Sequence, residues 1–197
     1  MNKMKDTKAI ANTYKIIADL WCNPIDINME DVLRESALVI NTLRENHFDT
    51  AEELSKFIQL PAVTQETYID LFELNPQCAL YLGSHTYEES SSCADAAKSD
   101  RNTYMIELVN LYKHFGLAID KNELPDYLPI MVEFLALTIH SNIDPVRIKF
   151  INEYMLPFLQ PLREKLEEMK SHYKHLCDAL IKNLHDDLKL TENLQPA

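Results

Sequence analysis

The stretch Glu123-Leu124-Pro125-Asp126-Tyr127-Leu128-Pro129, with the apolar run that follows it to Ser141, decides how this chain is read. From Tyr127 to His140 the only formally charged side chain is Glu133. A helix that is apolar on nearly every side belongs inside a bundle, with neighbours all round. Asp126 is placed to cap that helix, which makes Tyr127, Leu128 and Pro129 its first positions. Pro129 costs nothing there, because the first-turn N–H groups have no partner within the helix. Glu133 then stands about two turns further in. A buried carboxylate must be paired or protonated; Arg101, Arg147 and Arg163 are its candidate internal partners, and the alternative is a carboxylate held for a basic group on a ligand.

Helical spacing recurs on both sides of this stretch. A first helix is expected over about 6–21, with Ile10, Tyr14, Ile17 and Trp21 on one face, ended by Asn23-Pro24. Asn28 opens a second, carrying Val32, Leu33, Ser36, Ala37, Ile40 and Leu43 along one side. Asp49 with Glu52 resembles a capping box for a third, which Pro61 closes. Thr64 caps a fourth, which stops at Asn75-Pro76. Residues 78–82 suit one or two further helical turns. The polar, serine-rich segment 84–99 is longer than an ordinary helix connection. Ser99 then caps a helix bearing Tyr104, Leu108, Leu111 and Phe115, and Gly116 stands where a left-handed residue ends one. Asp144-Pro145 starts another, which Pro157 and Pro161 should break or kink near Leu156. The last helix is expected to run unbroken to about His185, lined by Leu162, Leu166, Met169, Tyr173 and Leu176.

Composition agrees with this outline. The chain has 197 residues, 46% of them hydrophobic, enough for one sizeable core. Two glycines, Gly83 and Gly116, are too few for a glycine-turned β fold or a phosphate loop. The expectation is an all-α, single-domain bundle of about seven to ten helices over 1–187, with a tail at 188–197. The net charge of −12 disfavours a nucleic-acid partner and permits a basic one. Cys22, Cys78, Cys93 and Cys177 are scattered, as free thiols of a cytoplasmic protein are. No signal core and no membrane-length apolar run is seen, so no stable membrane insertion is expected.

The search for catalysis finds little. No Glu is followed three residues later by His, and neither H-E-x-x-H nor G-x-S-x-G occurs. Glu168, His172 and His175 share one side of the last helix, but such a face is ordinarily solvated surface. No catalytic residue, metal or cofactor is therefore assigned. Tyr104, Tyr112, Phe115, Tyr127 and Phe134 admit two readings, as core or as walls of a groove for an amphipathic helix. Periodicity does not separate these.

Tyr104-(x)3-Leu108-(x)3-Tyr112-(x)3-Gly116-Leu117, the stretch 123–129 and the downstream Glu133-Phe134-Leu135 together resemble the delta-subunit chaperones of respiratory nitrate reductase. These belong to the wider TorD-like group of molybdoenzyme maturation chaperones. Tyr81-Leu82…His85…Glu89-Ser90 and 171–180 resemble further segments of that family, so the likeness covers roughly 78–184. It implies an all-α, non-catalytic cytoplasmic chaperone. Its partner would be the N-terminal leader region of a catalytic subunit that carries the molybdenum bis-molybdopterin guanine dinucleotide cofactor. By motif, the peptide-binding positions fall on Glu123, Asp126, Tyr127 and Glu133, with Tyr104, Tyr112 and His85 beside them. The wider group often has Asp-His where this chain has Asp126-Tyr127, and the segment after Glu89 is longer than the nitrate reductase pattern. The client enzyme, and the choice between monomer and dimer, are left open. A generic helical scaffold or adaptor is the alternative reading.

Overall fold

A computed structural model describes residues 2–87, 99–120 and 123–192, with side chains from Met4 onward. The helices are α1 (Asn2–Leu20), α2 (Met29–Leu43), α3 (Phe48–Gln59), α4 (Gln65–Phe72) and α5 (Asp100–His114). They continue as α6 (Leu128–Leu137), α7 (Pro145–Lys149), α8 (Leu156–Glu168) and α9 (Tyr173–Glu192). No strand is formed among the described residues. The fold is thus an all-α, single-domain bundle, as expected.

Local chemistry starts most of these helices. The side chains of Asn28, Thr64, Ser99 and Asp144 each accept a backbone N–H from the first turn of α2, α4, α5 and α7. Such a cap contributes about 1 kcal/mol. The expected capping box of α3 does not form: His47 is the N-cap, without a side-chain bond, and the helix begins at Phe48. Gly116 (φ 71) ends α5, with Gly116 N–H on the Lys113 carbonyl at 2.9 Å and Leu117 N–H on the Tyr112 carbonyl at 3.0 Å.

Three expectations about the C-terminal half need correction. Of the break or kink expected near Leu156, the break does not occur, although the helix type changes there. A π-helical turn over Phe150–Met155 precedes α8, and Pro157 sits in the first turn of α8, where no N–H is required. The last helix is not continuous, since α8 ends at Glu168 and α9 begins at Tyr173. Lys170 takes the left-handed conformation there (φ 52), and Ser171 N–H closes on the Leu166 carbonyl at 2.9 Å. The closure is the same as at Gly116, made by a residue that does not advertise it. Finally, α9 continues to Glu192, with Leu190 and Thr191 buried, so the segment taken as tail begins as packed helix.

The core is one contiguous cluster. α1 lies at its centre and packs on α2, α6 and α9, while α3 and α8 flank α9. Trp21, fully buried, stacks on Tyr173 at 5.1 Å, and Tyr68 donates its hydroxyl to the Trp21 carbonyl at 2.8 Å. This ties α1, α4 and α9 together. α6 buries Leu128, Met131, Val132 and Leu135 completely, as its apolar sequence demands. No described helix is long and apolar enough to cross a membrane.

Two polar knots cross this core. Arg147 and Asp187, both fully buried, pair at 2.8 Å. Tyr14 donates to the same Asp187 oxygen at 2.9 Å, and Arg147 also donates to the Leu135 carbonyl at 3.0 Å and to Thr138 Oγ1 at 3.1 Å. At the other knot Glu53 of α3 accepts from His175 (2.8 Å), Lys56 (3.0 Å) and Lys182 (3.2 Å). Burial alone would raise the Glu53 pKa, but these three donors outweigh it and lower it from 4.5 to about 2.

Removing one partner of the Arg147–Asp187 pair strands the other charge, so Asp187→Ala should cost about 3–5 kcal/mol. Arg147→Met combined with Asp187→Leu should cost much less than the two single changes added, as read by urea denaturation. A depressed carboxylate stabilises the fold above its unfolded pKa and loses that contribution as pH falls through the folded one. Stability measured between pH 4.5 and about 2 should therefore fall less steeply in Glu53→Gln than in the parent chain.

Candidate functional site

The entrance to α6 is built differently from the expectation. Of residues 78–82, expected as helical turns, 78–81 are not helical. Leu80–Leu82 runs extended beside Asp126–Leu128, with Leu82 N–H on the Asp126 carbonyl at 3.0 Å and Leu128 N–H on the Leu80 carbonyl at 2.9 Å. A short 3-10 turn, Leu82–His85, follows. Tyr127, not Asp126, is the N-cap of α6, and its side chain makes no capping bond.

The Asp126 side chain is fully buried and accepts the Gly83 N–H on Oδ2 at 3.0 Å. It clasps a segment 43 residues away instead of capping its own helix. Burial pushes its carboxyl above the usual carboxylate range, against the pull of the Gly83 N–H and of the Arg101 charge. Tyr104 also packs against Gly83, where a Cβ would stand, and stacks on Phe158 at 4.5 Å. Tyr112 donates its hydroxyl to the Pro125 carbonyl at 2.7 Å, which fixes the approach to the helix. Glu123 accepts from the Tyr81 hydroxyl at 3.0 Å and from Leu124 N–H at 2.9 Å. Tyr127, half-buried, lies against the Tyr81 ring at 5.4 Å.

Glu123, Asp126, Tyr127, Tyr104 and Tyr112 thus meet in one knot around the Leu80–Gly83 segment. His85 stands at the end of the 3-10 turn with Nε2 2.7 Å from the Ala79 carbonyl, and burial holds its pKa below the usual value. Of the two settings open to Glu133, paired inside the bundle or turned toward a ligand, the first does not occur: it is exposed. It needs no internal arginine, and Arg147 and Arg163 are engaged with Asp187 and Asp178. The longer segment after Glu89 lies, for 88–98, outside the described residues.

Glu133 stands instead on the rim of a surface hollow of about 250 Å³. Leu117, Ile119, Ile130, Phe134 and Leu137 form its walls, and Asp120 lies at its edge. Leu137 is 60% exposed there, an unusual place for a leucine on the most apolar helix. A second recess, of about 380 Å³, opens beside the N-terminal half of α5, where Tyr87, Tyr154 and Phe158 stand among Asp100, Glu107 and Glu153. Tyr154 donates its hydroxyl to Glu107, and Lys149 lies 5.4 Å over the Tyr154 ring. Together the two concavities offer apolar walls with carboxylate edges. Sequence reading missed Gly83, Leu117, Ile119 and Leu137. Gly83 carried a signal as one of two glycines in a chain that otherwise avoids them, and Leu117 as the end of the motif run 104–117; Ile119 and Leu137 carried none.

A Cβ on Gly83 would lie 2.9 Å from Asp126 Oδ2 and 3.1 Å from Tyr104 Cε1. Gly83→Ala should therefore cost about 1–3 kcal/mol in chemical denaturation, by forcing apart a clasp that has no slack.

The family model described as nitrate reductase delta subunit matches residues 40–164, which include the clasp, the hollow and most of α8. The chain is 30% identical over 122 residues to the nitrate reductase molybdenum cofactor assembly chaperone NarJ of Escherichia coli (strain K12), covering 62% of this chain and 46% of that protein. The probable assembly chaperone NarJ of Bacillus subtilis (strain 168) is 28% identical over 137 residues, 70% of this chain and 67% of its own. The nitrate reductase-like protein NarX of Mycobacterium tuberculosis (strain CDC 1551 / Oshkosh) is 27% identical over 132 residues, 66% of this chain and 18% of its own. The match thus spans about half the length of the Escherichia coli relative and less than a fifth of the mycobacterial one. With a match over more than half its length, the chain belongs to the nitrate reductase delta subunit family.

Proposed function

We propose that this chain is a non-catalytic assembly chaperone for the catalytic subunit of a molybdenum oxidoreductase of the nitrate reductase type. In this reading it binds the N-terminal region of that subunit in the cytoplasm and releases it once the cofactor is installed. The supporting observation is the coincidence of the family match with a carboxylate-edged apolar hollow on α6. An amphipathic basic segment suits such a place. Its apolar face gains affinity by covering Leu117, Ile130 and Leu137, while Glu133 and Asp120 orient its cationic end. The acidic recess beside α5 adds a second attraction for a basic chain, and the net charge of −12 favours the encounter. The clasp at Gly83 and Asp126 plays a supporting part, since it sets where α6 begins and so where Glu133 and Leu137 emerge. The chaperone itself holds no cofactor in this reading.

Titration calorimetry against synthetic N-terminal peptides of the molybdenum oxidoreductases encoded in the same genome tests this. One of them should bind with a stoichiometry of one. Glu133→Lys and Leu137→Glu should each weaken that binding about tenfold or more, some 1.4 kcal/mol, without moving the thermal midpoint. Absence of binding to every peptide, and to the intact apo-subunits, would sink the proposal.

A further inference from the structure

The π-helical turn Phe150–Met155 and the N-terminal half of α5 flank the recess of about 380 Å³. On α5, Asp100, Tyr104 and Glu107 fall four and three residues apart, so they share one face. The π turn contributes Glu153 and Tyr154, and the first turn of α8 contributes Phe158. A π turn shifts where the following side chains point, and such turns recur at functional sites. Tyr104 stacks on Phe158 at 4.5 Å and on Tyr154 at 6.0 Å, each within 17° of parallel. Tyr87 stands 5.6 Å from Tyr104 and 5.8 Å from Phe158. Tyr104 is 3% exposed, and its hydroxyl has no hydrogen-bond partner among the described residues.

These walls define the chemistry that suits them. Ring faces and carboxylates both present negative potential, so both attract a cation. None of the described residues lining the recess is a lysine or an arginine. A cation already stands at its edge: Lys149 Nζ lies 5.4 Å over the Tyr154 ring and 3.7 Å from Glu153. A metal ion fits poorly, since among the described residues no three of His, Cys, Asp and Glu converge to hold one. An ammonium is compact and strongly hydrated. A guanidinium is flat and weakly hydrated, lies against ring faces, and still directs N–H groups at a carboxylate. Rings held close to parallel favour the flat group.

We infer that this recess is a subsite for one guanidinium group, the side chain of an arginine on a basic partner segment. The rings supply flat contact, and the carboxylates with the Tyr104 hydroxyl make a wall of acceptors for its N–H groups. Lys149 is its internal competitor, because it already draws on the Tyr154 ring and on Glu153. The source of the arginine rests on the proposed chaperone function, whereas the preference for a guanidinium rests on the recess alone.

Three capped tripeptides test the subsite: alanine-arginine-alanine, its lysine counterpart, and its citrulline counterpart, which keeps the shape of arginine without the charge. Each is titrated into the full chain while backbone amide NMR signals are followed. The arginine peptide should shift signals of α5 and the π turn, and the citrulline peptide should bind about tenfold more weakly. The lysine peptide should fall between them. Glu153→Gln should weaken the arginine peptide and Lys149→Gln should strengthen it; both positions are exposed, so neither change disturbs the fold. Equal binding of arginine and citrulline peptides, or shifts that leave α5 and the π turn silent, would overturn the inference. These probes carry no client sequence, so the result stands whether or not any client peptide binds. Conversely, a client peptide that binds equally well with its arginines replaced by citrulline would overturn the subsite and leave the chaperone function standing.

Discussion

Arg147 and Asp187 meet at 2.8 Å with neither side chain exposed, and much of the bundle takes its register from that contact. Asp187 belongs to α9, Arg147 to α7, Tyr14 to α1, and the Leu135 carbonyl to α6. Four helices that could otherwise slide on apolar surfaces are held to one arrangement by groups that tolerate only one. A buried ion pair contributes little net stability, because desolvation consumes most of the Coulomb gain. What it offers this fold is penalty for every alternative packing, in which a charge would be left alone. The apolar contacts around Trp21, Tyr173 and α6 provide the driving force, and the polar knot selects among the ways of satisfying it.

The clasp at the start of α6 works by the same logic on a smaller scale. The Asp126 carboxylate, the Gly83 amide and the Tyr104 ring fill one another's space, and the Tyr112 hydroxyl holds the Pro125 carbonyl. The chain therefore enters α6 at a set point and in a set direction. That in turn decides which residues of α6 face outward. In the proposed reading the client meets Glu133 and Leu137, while Asp126 never touches it and acts as the frame behind them. This differs from a reading of the motif as a binding sequence, in which the acidic residues of 123–129 would themselves meet the peptide.

Much of the fold was legible in the residues. The caps at Asn28, Thr64, Ser99 and Asp144, the stop at Gly116 and the buried stripe of α1 occur as read, while on α2 Ala37 is exposed and Leu33 half-buried, and on α5 Phe115 is half-buried. The break at Lys170 was not legible, because a lysine in the left-handed region looks in sequence like any helical lysine. The continuity across Pro157 and Pro161 was hidden for the opposite reason. A proline signals the loss of an N–H, and whether a π turn absorbs that loss depends on the packing of neighbours. Within the site, Glu133 stood out as the one charge on its helix, but whether it faced the core or a ligand was left open. Residues 128–137 are apolar almost all round, so periodicity held no record of which stripe would be left uncovered.

The amino-acid sequence by itself determined the helical class, most helix ends and the membership of a family recognisable from a short motif. These rest on interactions between residues three or four apart, or on residue types whose backbone preferences act locally. Only the tertiary structure decided that Asp126 turns away from its own helix to a partner 43 residues distant, and that Glu133 faces solvent. It alone brought Arg147 onto Asp187, 40 residues on. Each of those outcomes depends on which surfaces meet, and burial is a property of the packed chain that no single segment carries.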